Sequence, residues 1–211
     1  MKKLFLTSSA STVLQDVVKH FDKPLEALRV AFIDTASESE RGDKPWLDAD
    51  RDALIALGFD VFDYTLTGKT FEEVSQALSG IDILFVAGGN TFHLLEQANK
   101  CNFKKIVNML LDLGVIYIGS SAGSLLASPD IEPVKFLDDS TKAMGLQSFD
   151  ALALVDFIIF PHWGSGSFKD RQLKSIESTH GKDYKVILLT DRQYVMVEDG
   201  AYRILEIKRA L

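Results

Sequence analysis

The sequence predicts an α/β fold: a doubly wound, mostly parallel sheet that ends in a C-terminal β-hairpin. Three observations carry this. Short apolar runs rich in β-branched residues alternate with longer segments of helical period, as repeated βαβ units require. Several runs are apolar at consecutive positions, the pattern of strands covered on both faces. Near the end, Asp199-Gly200 separates two further strand-like runs, and Asp-Gly is a strong hairpin turn.

In chain order, strands are expected at 4–6, 30–33, 61–64, 83–86, 115–118, 157–160 and 186–189. Residues 50–57 read as helical and end at Gly58, a suitable C′ glycine. Thr70-Phe71-Glu72-Glu73 is a capping box, opening a helix that closes near Gly80. Apolar residues at 103, 106, 107, 110 and 113 form one helical face, which stops at Gly114. The hairpin pairs 194–197 with 202–207. The polar stretch 37–44 is either a solvated surface loop or a flap over a site. With no repeat or linker in view, residues 1–211 are expected to form one domain.

Composition narrows the function. The 211 residues are 46% hydrophobic and 25% charged, which excludes intrinsic disorder. No apolar run approaches the ~20 residues of a membrane span. The apolar start breaks at Thr7-Ser8-Ser9, short of the roughly 7–15 residues of a leader's core. A net charge of −7 argues against a nucleic-acid surface. The single cysteine, Cys101, allows no internal disulfide and no thiolate cluster. Four scattered histidines lack zinc-binding spacing. The expectation is a cytoplasmic enzyme for a small substrate, with no metal or cofactor and no nucleic-acid or membrane partner. Oligomeric state stays open.

Ligands of open α/β sheets bind beyond the carboxyl ends of the strands, so the loops there are the place to look. Gly119-Ser120-Ser121-Ala122-Gly123 follows one expected strand and precedes a helix. It fits G-x-S-x-G, in which small residues let a strained turn push the serine Oγ outward. The same residues also suit a plain tight turn. Phe160-Pro161-His162-Trp163-Gly164 ends another strand and runs into Gly-Ser repeats. An imidazole there can take a serine proton and return it to a leaving amine; a structural histidine is the alternative. Asp191, at a third strand end, can orient that imidazole or merely shape a turn. The chain order Ser121, His162, Asp191 disfavours the α/β-hydrolase fold, which runs Ser, acid, His. At Gly88-Gly89-Asn90-Thr91 the Gly89 N–H can join that of Ala122 as an oxyanion donor, or the segment is a glycine turn with Asn90 or Thr91 capping a helix. Cys101 lacks an elbow of its own.

Gly88-Gly89-Asn90-Thr91-Phe92, Tyr117 to Gly123, Phe149-Asp150-Ala151-Leu152 and Pro161-His162 together resemble the peptidase E family. These are serine peptidases typified by aspartyl dipeptidase and related to cyanophycinase. The resemblance implies a fold similar to class I glutamine amidotransferases, of flavodoxin-like type. It implies hydrolysis of dipeptides with N-terminal aspartate through an acyl-enzyme, without a metal. Carried over by motif, Ser121 is the nucleophile, His162 the base, Asp191 the acid, and Gly89 and Ala122 the oxyanion donors. Two departures are visible: Asp191 stands where family members often have Glu, and an Asp-Met-Pro run is replaced by Val134-Lys135-Phe136-Leu137-Asp138. An aspartyl substrate needs a cation. Lys169 and Arg171 are the candidates, with Asn90 as a further substrate contact; solvated helix charges are the alternative for the first two. A related amide hydrolase of other specificity and a non-catalytic binding protein both stay open.

Overall fold

Five parallel strands form the centre of the sheet: β1 (Lys3–Thr7), β2 (Arg29–Ile33), β3 (Asp60–Tyr64), β4 (Ile83–Val86) and β5 (Ile116–Ser120), in the order β3-β2-β4-β5-β1. The computed structural model describes residues 2–208. Met1, the first residue of the short apolar start, and residues 209–211 of the expected domain lie outside the described residues. β1, β4 and β5 are buried almost throughout, whereas β3 at the edge is only half-covered. This explains why 61–64 carries Asp63 amid its apolar residues while 83–86 carries no polar residue.

The two faces hold separate cores. Side chains alternate along each strand, so Leu4, Leu6 and Val86 join one core while Phe5, Phe85 and Ile118 join the other. The first core packs α3 (Phe71–Ala77), α4 (Thr91–Lys100), α5 (Phe103–Asp112) and α6 (Ala122–Leu126). The second packs α1 (Ala10–Val17) and α2 (Pro45–Ala56). Register also sets side-chain pairs: Phe32 and Phe85 are partners on β2 and β4, and their rings stack at 5.0 Å. Such a pair contributes about 1 kcal/mol beyond its buried area. The capping box is present at Thr70 and Glu73. α2 begins at Pro45 rather than at Asp50, because a proline in the first turn is already set to helical φ and needs no N–H acceptor.

The C-terminal part differs from a simple continuation of the sheet. β8 (Gln193–Glu198) and β9 (Ala201–Glu206) form the hairpin, and β8 lies antiparallel against β1. Asp199 and Gly200 both have positive φ, 47° and 86°, as a twist-matched two-residue turn requires. With that edge of β1 occupied, β6 (Ile158–Phe160) and β7 (Val186–Leu188) pair with each other as a separate parallel two-stranded sheet. β6 packs beside α6, and α7 (Lys169–Thr179) connects β6 to β7. Among the described residues, no helix is long and apolar enough to cross a membrane.

Candidate active site

Strand register brings three loops to one point. Thr7 pairs with Ser120 and Val86 with Gly119, so the residues just beyond β1, β4 and β5 are neighbours. Ser121, directly after β5, has φ 48° and ψ −106°, a backbone that L-residues rarely adopt and that costs about 1–3 kcal/mol. The surroundings impose it. The Ser121 N–H donates to the Thr7 carbonyl at 3.0 Å, and the Ser121 carbonyl accepts from Ser124 and Leu125 N–H as α6 begins. The Ser124 hydroxyl bonds the Thr7 and Gly119 carbonyls. The flanking glycines are required by space: a β-carbon at Gly119 would stand 2.6 Å from the Ser124 nitrogen, and one at Gly123 1.9 Å from the Val86 oxygen.

The Ser121 Oγ lies 3.0 Å from His162 Nε2, and His162 Nδ1 lies 2.7 Å from Asp191 Oδ1. An ionised carboxylate only accepts, so Nδ1 carries the proton and Nε2 is left free to accept from the serine hydroxyl. His162 follows β6 and has φ 59°, and its N–H donates to the Ser8 Oγ at 2.7 Å. Its ring stacks on Phe168 at 4.7 Å, and the Arg171 guanidinium lies 4.4 Å from the centre of the same Phe168 ring. The hydrogen bond from His162 holds the Asp191 carboxyl below its usual range; burial opposes this and the Ser8 hydroxyl adds to it. Ser8 is fully buried, and its hydroxyl donates to Asp191 Oδ1 at 2.6 Å.

Ser8, Ser121, His162, Phe168 and Arg171 border a cavity of about 500 Å³. Gly88, Gly89, Trp46 and Asp50 of α2, Glu40, Asp138, Asp139 and Lys142 line it as well. Thus the polar stretch 37–44 meets the cavity through Glu40. Gly89 has φ 140°, and a β-carbon on it would stand 2.3 Å from the Ala36 carbonyl carbon and oxygen; only glycine lets these two loops meet. Among the described residues, no acceptor engages the Gly89 or Ala122 N–H. Asp50 is buried and accepts the Ser11 N–H at 2.7 Å. Burial pushes its carboxyl up, with hydrogen bonds from Ser120 and Ser11 opposing. Burial likewise raises Asp138, against hydrogen bonds from the Thr91 hydroxyl and N–H.

The structure thus brings Ser121, His162, Asp191, Gly89, Asn90 and Arg171 together, but of the expected substrate contacts Asn90 has its polar atoms engaged by the protein and Lys169 lies outside the cavity. Asn90 lines the cavity, yet its Oδ1 caps α4 by accepting the Phe92 and His93 N–H groups, and its Nδ2 donates to the Asp139 carbonyl. Lys169 is exposed on α7 and does not border the cavity. Residues two apart on a helix point about 200° apart, so Lys169 and Arg171 cannot both face one site. Ser8, Trp46, Asp50, Asp138 and Lys142 are cavity residues that local motifs do not reveal. For Ser8 the available signal was its position, one residue beyond a strand aimed at the ligand edge.

A family model described as Peptidase family S51 matches residues 4–205. The Listeria monocytogenes peptidase Lmo0363 is 35% identical over 182 residues, covering 86% of this chain and 88% of the relative. A Drosophila melanogaster protein named as an alpha-aspartyl dipeptidase is 35% identical over 140 residues, 62% of this chain and 55% of its own length. A crystal structure named as a peptidase E protein, from Listeria monocytogenes EGD-e, superposes with a TM-score of 0.90 at 30% identity, covering 99% of this chain and 100% of that one. With a match that runs from β1 to the final hairpin, the chain belongs to peptidase family S51.

Proposed function

We propose that the chain is a cytoplasmic serine exopeptidase that hydrolyses short peptides, with N-terminal aspartyl dipeptides as the leading substrate class. One observation carries the reading: Ser121, in a strained elbow, shares a 3.0 Å contact with an imidazole whose other nitrogen meets a carboxylate at 2.7 Å. In this reading the Ser121 Oγ attacks the scissile carbonyl carbon as its proton passes to His162 Nε2. Asp191 stabilises the imidazolium that forms. The carbonyl oxygen gains charge and is met by the N–H groups of Gly89 and Ala122. His162 then gives its proton to the leaving amine, and the acyl group remains on Ser121. Water, deprotonated by the same imidazole, releases the acid and restores the hydroxyl.

The name of the Drosophila relative supports aspartyl dipeptides, and Arg171 and Lys142 supply cations among the residues that line the cavity. A specific observation favours a second reading, a related amide hydrolase of other specificity: Glu40, Asp50, Asp138 and Asp139 line the same cavity, and carboxylates disfavour an acidic side chain near them. The test has two arms. A fluorophosphonate is expected to label Ser121, and absence of labelling removes the peptidase mechanism. Hydrolysis of Asp-X against Ala-X and Lys-X dipeptides then separates the two readings, since uniform failure on Asp-X selects the second.

A further inference from the structure

Ser8 has a hydroxyl committed on both sides. It is fully buried. The His162 N–H donates to it at 2.7 Å, and it donates to Asp191 Oδ1 at 2.6 Å; His162 Nδ1 stands farther off, at 3.3 Å. A serine hydroxyl has one proton and two lone pairs, whereas a carboxylate has none to give. The one proton therefore goes to Asp191, and a lone pair takes the backbone N–H. Asp191 Oδ1 receives two donors at nearly equal distance, Ser8 at 2.6 Å and His162 Nδ1 at 2.7 Å.

We propose that Ser8 is a positioning residue: it locks the Asp191 carboxylate and the His162 backbone together so that Nε2 stays on Ser121. This rests on the peptidase reading above. Both groups need such a lock. Asp191 has the shorter of the two acidic side chains, sits in the loop between β7 and β8, and is nearly half exposed. His162 holds a positive φ that residues with side chains seldom adopt. β6 and β7 belong to a separate small sheet, so no ladder bond ties them directly to the strands that carry Ser121. Ser8 supplies that tie. It stands one residue beyond Thr7, which pairs with Ser120, and so it carries the main-sheet register of Ser121 across to His162 and Asp191.

The chemistry gains in a definite way. With the Ser8 proton directed to the carboxylate, nothing competes to donate to Nδ1, and the tautomer with Nε2 free is preserved. Ser8 itself makes no covalent contact in the reaction.

The experiment uses Ser8→Ala, Asp191→Asn and the double variant. Ser8→Ala is expected to lower kcat about 10- to 100-fold, the size of one charge-assisted hydrogen bond, with KM within about twofold of the wild type. On the Asp191→Asn background the same change is expected to cost almost nothing, since Ser8 acts through that carboxylate. A spectroscopic reading needs no turnover: the downfield proton resonance of His162 Nδ1–H is expected to shift or broaden in Ser8→Ala. Ser8→Cys, a weak donor in the same place, is expected to repeat the loss and keeps the test readable if the alanine variant folds poorly. Wild-type kcat with an unmoved resonance overturns the proposal, and so does an equal loss with and without the Asp191 carboxylate. If the resonance moves but the wild-type protein hydrolyses no peptide and takes no fluorophosphonate, the peptidase reading fails while the hold of Ser8 on the pair stands.

Discussion

The carbonyl oxygen of Val86 lies where it blocks any side chain at Gly123: a β-carbon there would approach to 1.9 Å. The nearest atoms belong to the backbone of β4, so no rotamer change relieves the contact. Gly123→Ala must push α6 away from β4, and Ser121 moves with it. The expected cost exceeds about 3 kcal/mol, above the common range for overpacking. For a chain of this size that lowers the melting temperature by roughly 6–12 °C. Gly114→Ala is the control, because Gly114 also has positive φ, 87°, but nothing within 4 Å of its β-carbon position. It is expected to lose only about 1–2 kcal/mol of backbone strain energy. Thermal unfolding followed by circular dichroism compares the two.

Ser121 separates stability from activity. Its φ of 48° with ψ of −106° is unfavourable for serine and alanine alike, whereas glycine adopts it freely. Ser121→Ala is expected to leave the melting temperature nearly unchanged and to lower turnover by several orders of magnitude, as loss of a triad nucleophile does. Ser121→Gly is expected to be equally inactive yet more stable than Ser121→Ala by about 1 kcal/mol. A glycine variant no more stable than alanine would place the strain elsewhere in the turn.

What could be read in the sequence follows from how local each cause is. The central strands were legible because burial on both faces leaves consecutive apolar residues, as in Ile83 to Val86, and β4 has the bounds expected for it. The placement of β6 and β7 was not legible, since it depends on β8 closing the free edge of β1, a pairing between Leu4 and Val197 that no local pattern encodes. Ser121, His162 and Asp191 stood out because each ends a strand. Ser8 did not, because its partners are distant in the chain and its own surroundings, Thr7-Ser8-Ser9, look like an ordinary polar strand end. Asp138 was visible only as the end of a stretch that departs from the family pattern; Thr91, far away in sequence, fixes its carboxyl at the cavity.

Two carboxylates at the site respond to acid with opposite sign. Asp191 is held below its usual range, first by His162. Its contribution to stability is complete above the unfolded value of about 3.9 and is lost as pH falls through the depressed folded value. Asp50 is raised by burial. Its contribution is complete below about 3.9 and is lost as pH rises through the elevated folded value. Asp50→Asn keeps an acceptor for the Ser11 N–H and cannot ionise. It is therefore expected to be more stable than the wild type at neutral pH, with the gap closing as the solution is acidified toward about pH 4. For Asp191→Asn the wild type is the more stable at neutral pH, and its advantage fades only below about pH 4. Urea denaturation across this range measures both gaps.

Arg171 joins substrate charge to the geometry of His162. Its guanidinium donates to the Leu137 carbonyl at 2.9 Å and lies against Phe168, which also stacks on the His162 ring. Two effects are therefore expected from its removal, and they separate by parameter. Loss of the cation weakens binding of an acidic side chain, so Arg171→Ala is expected to raise KM for Asp-X by about tenfold more than for Ala-X. Loss of the stacked plane frees Phe168 and with it the imidazole, so kcat is expected to fall for both substrates alike. Arg171→Lys keeps the charge but lacks the planar fork. It is expected to recover much of the KM for Asp-X and little of the kcat. Steady-state kinetics on the two dipeptides resolve this, and an equal change in KM for both would move acidic recognition away from Arg171 and toward Lys142, which lines the same cavity.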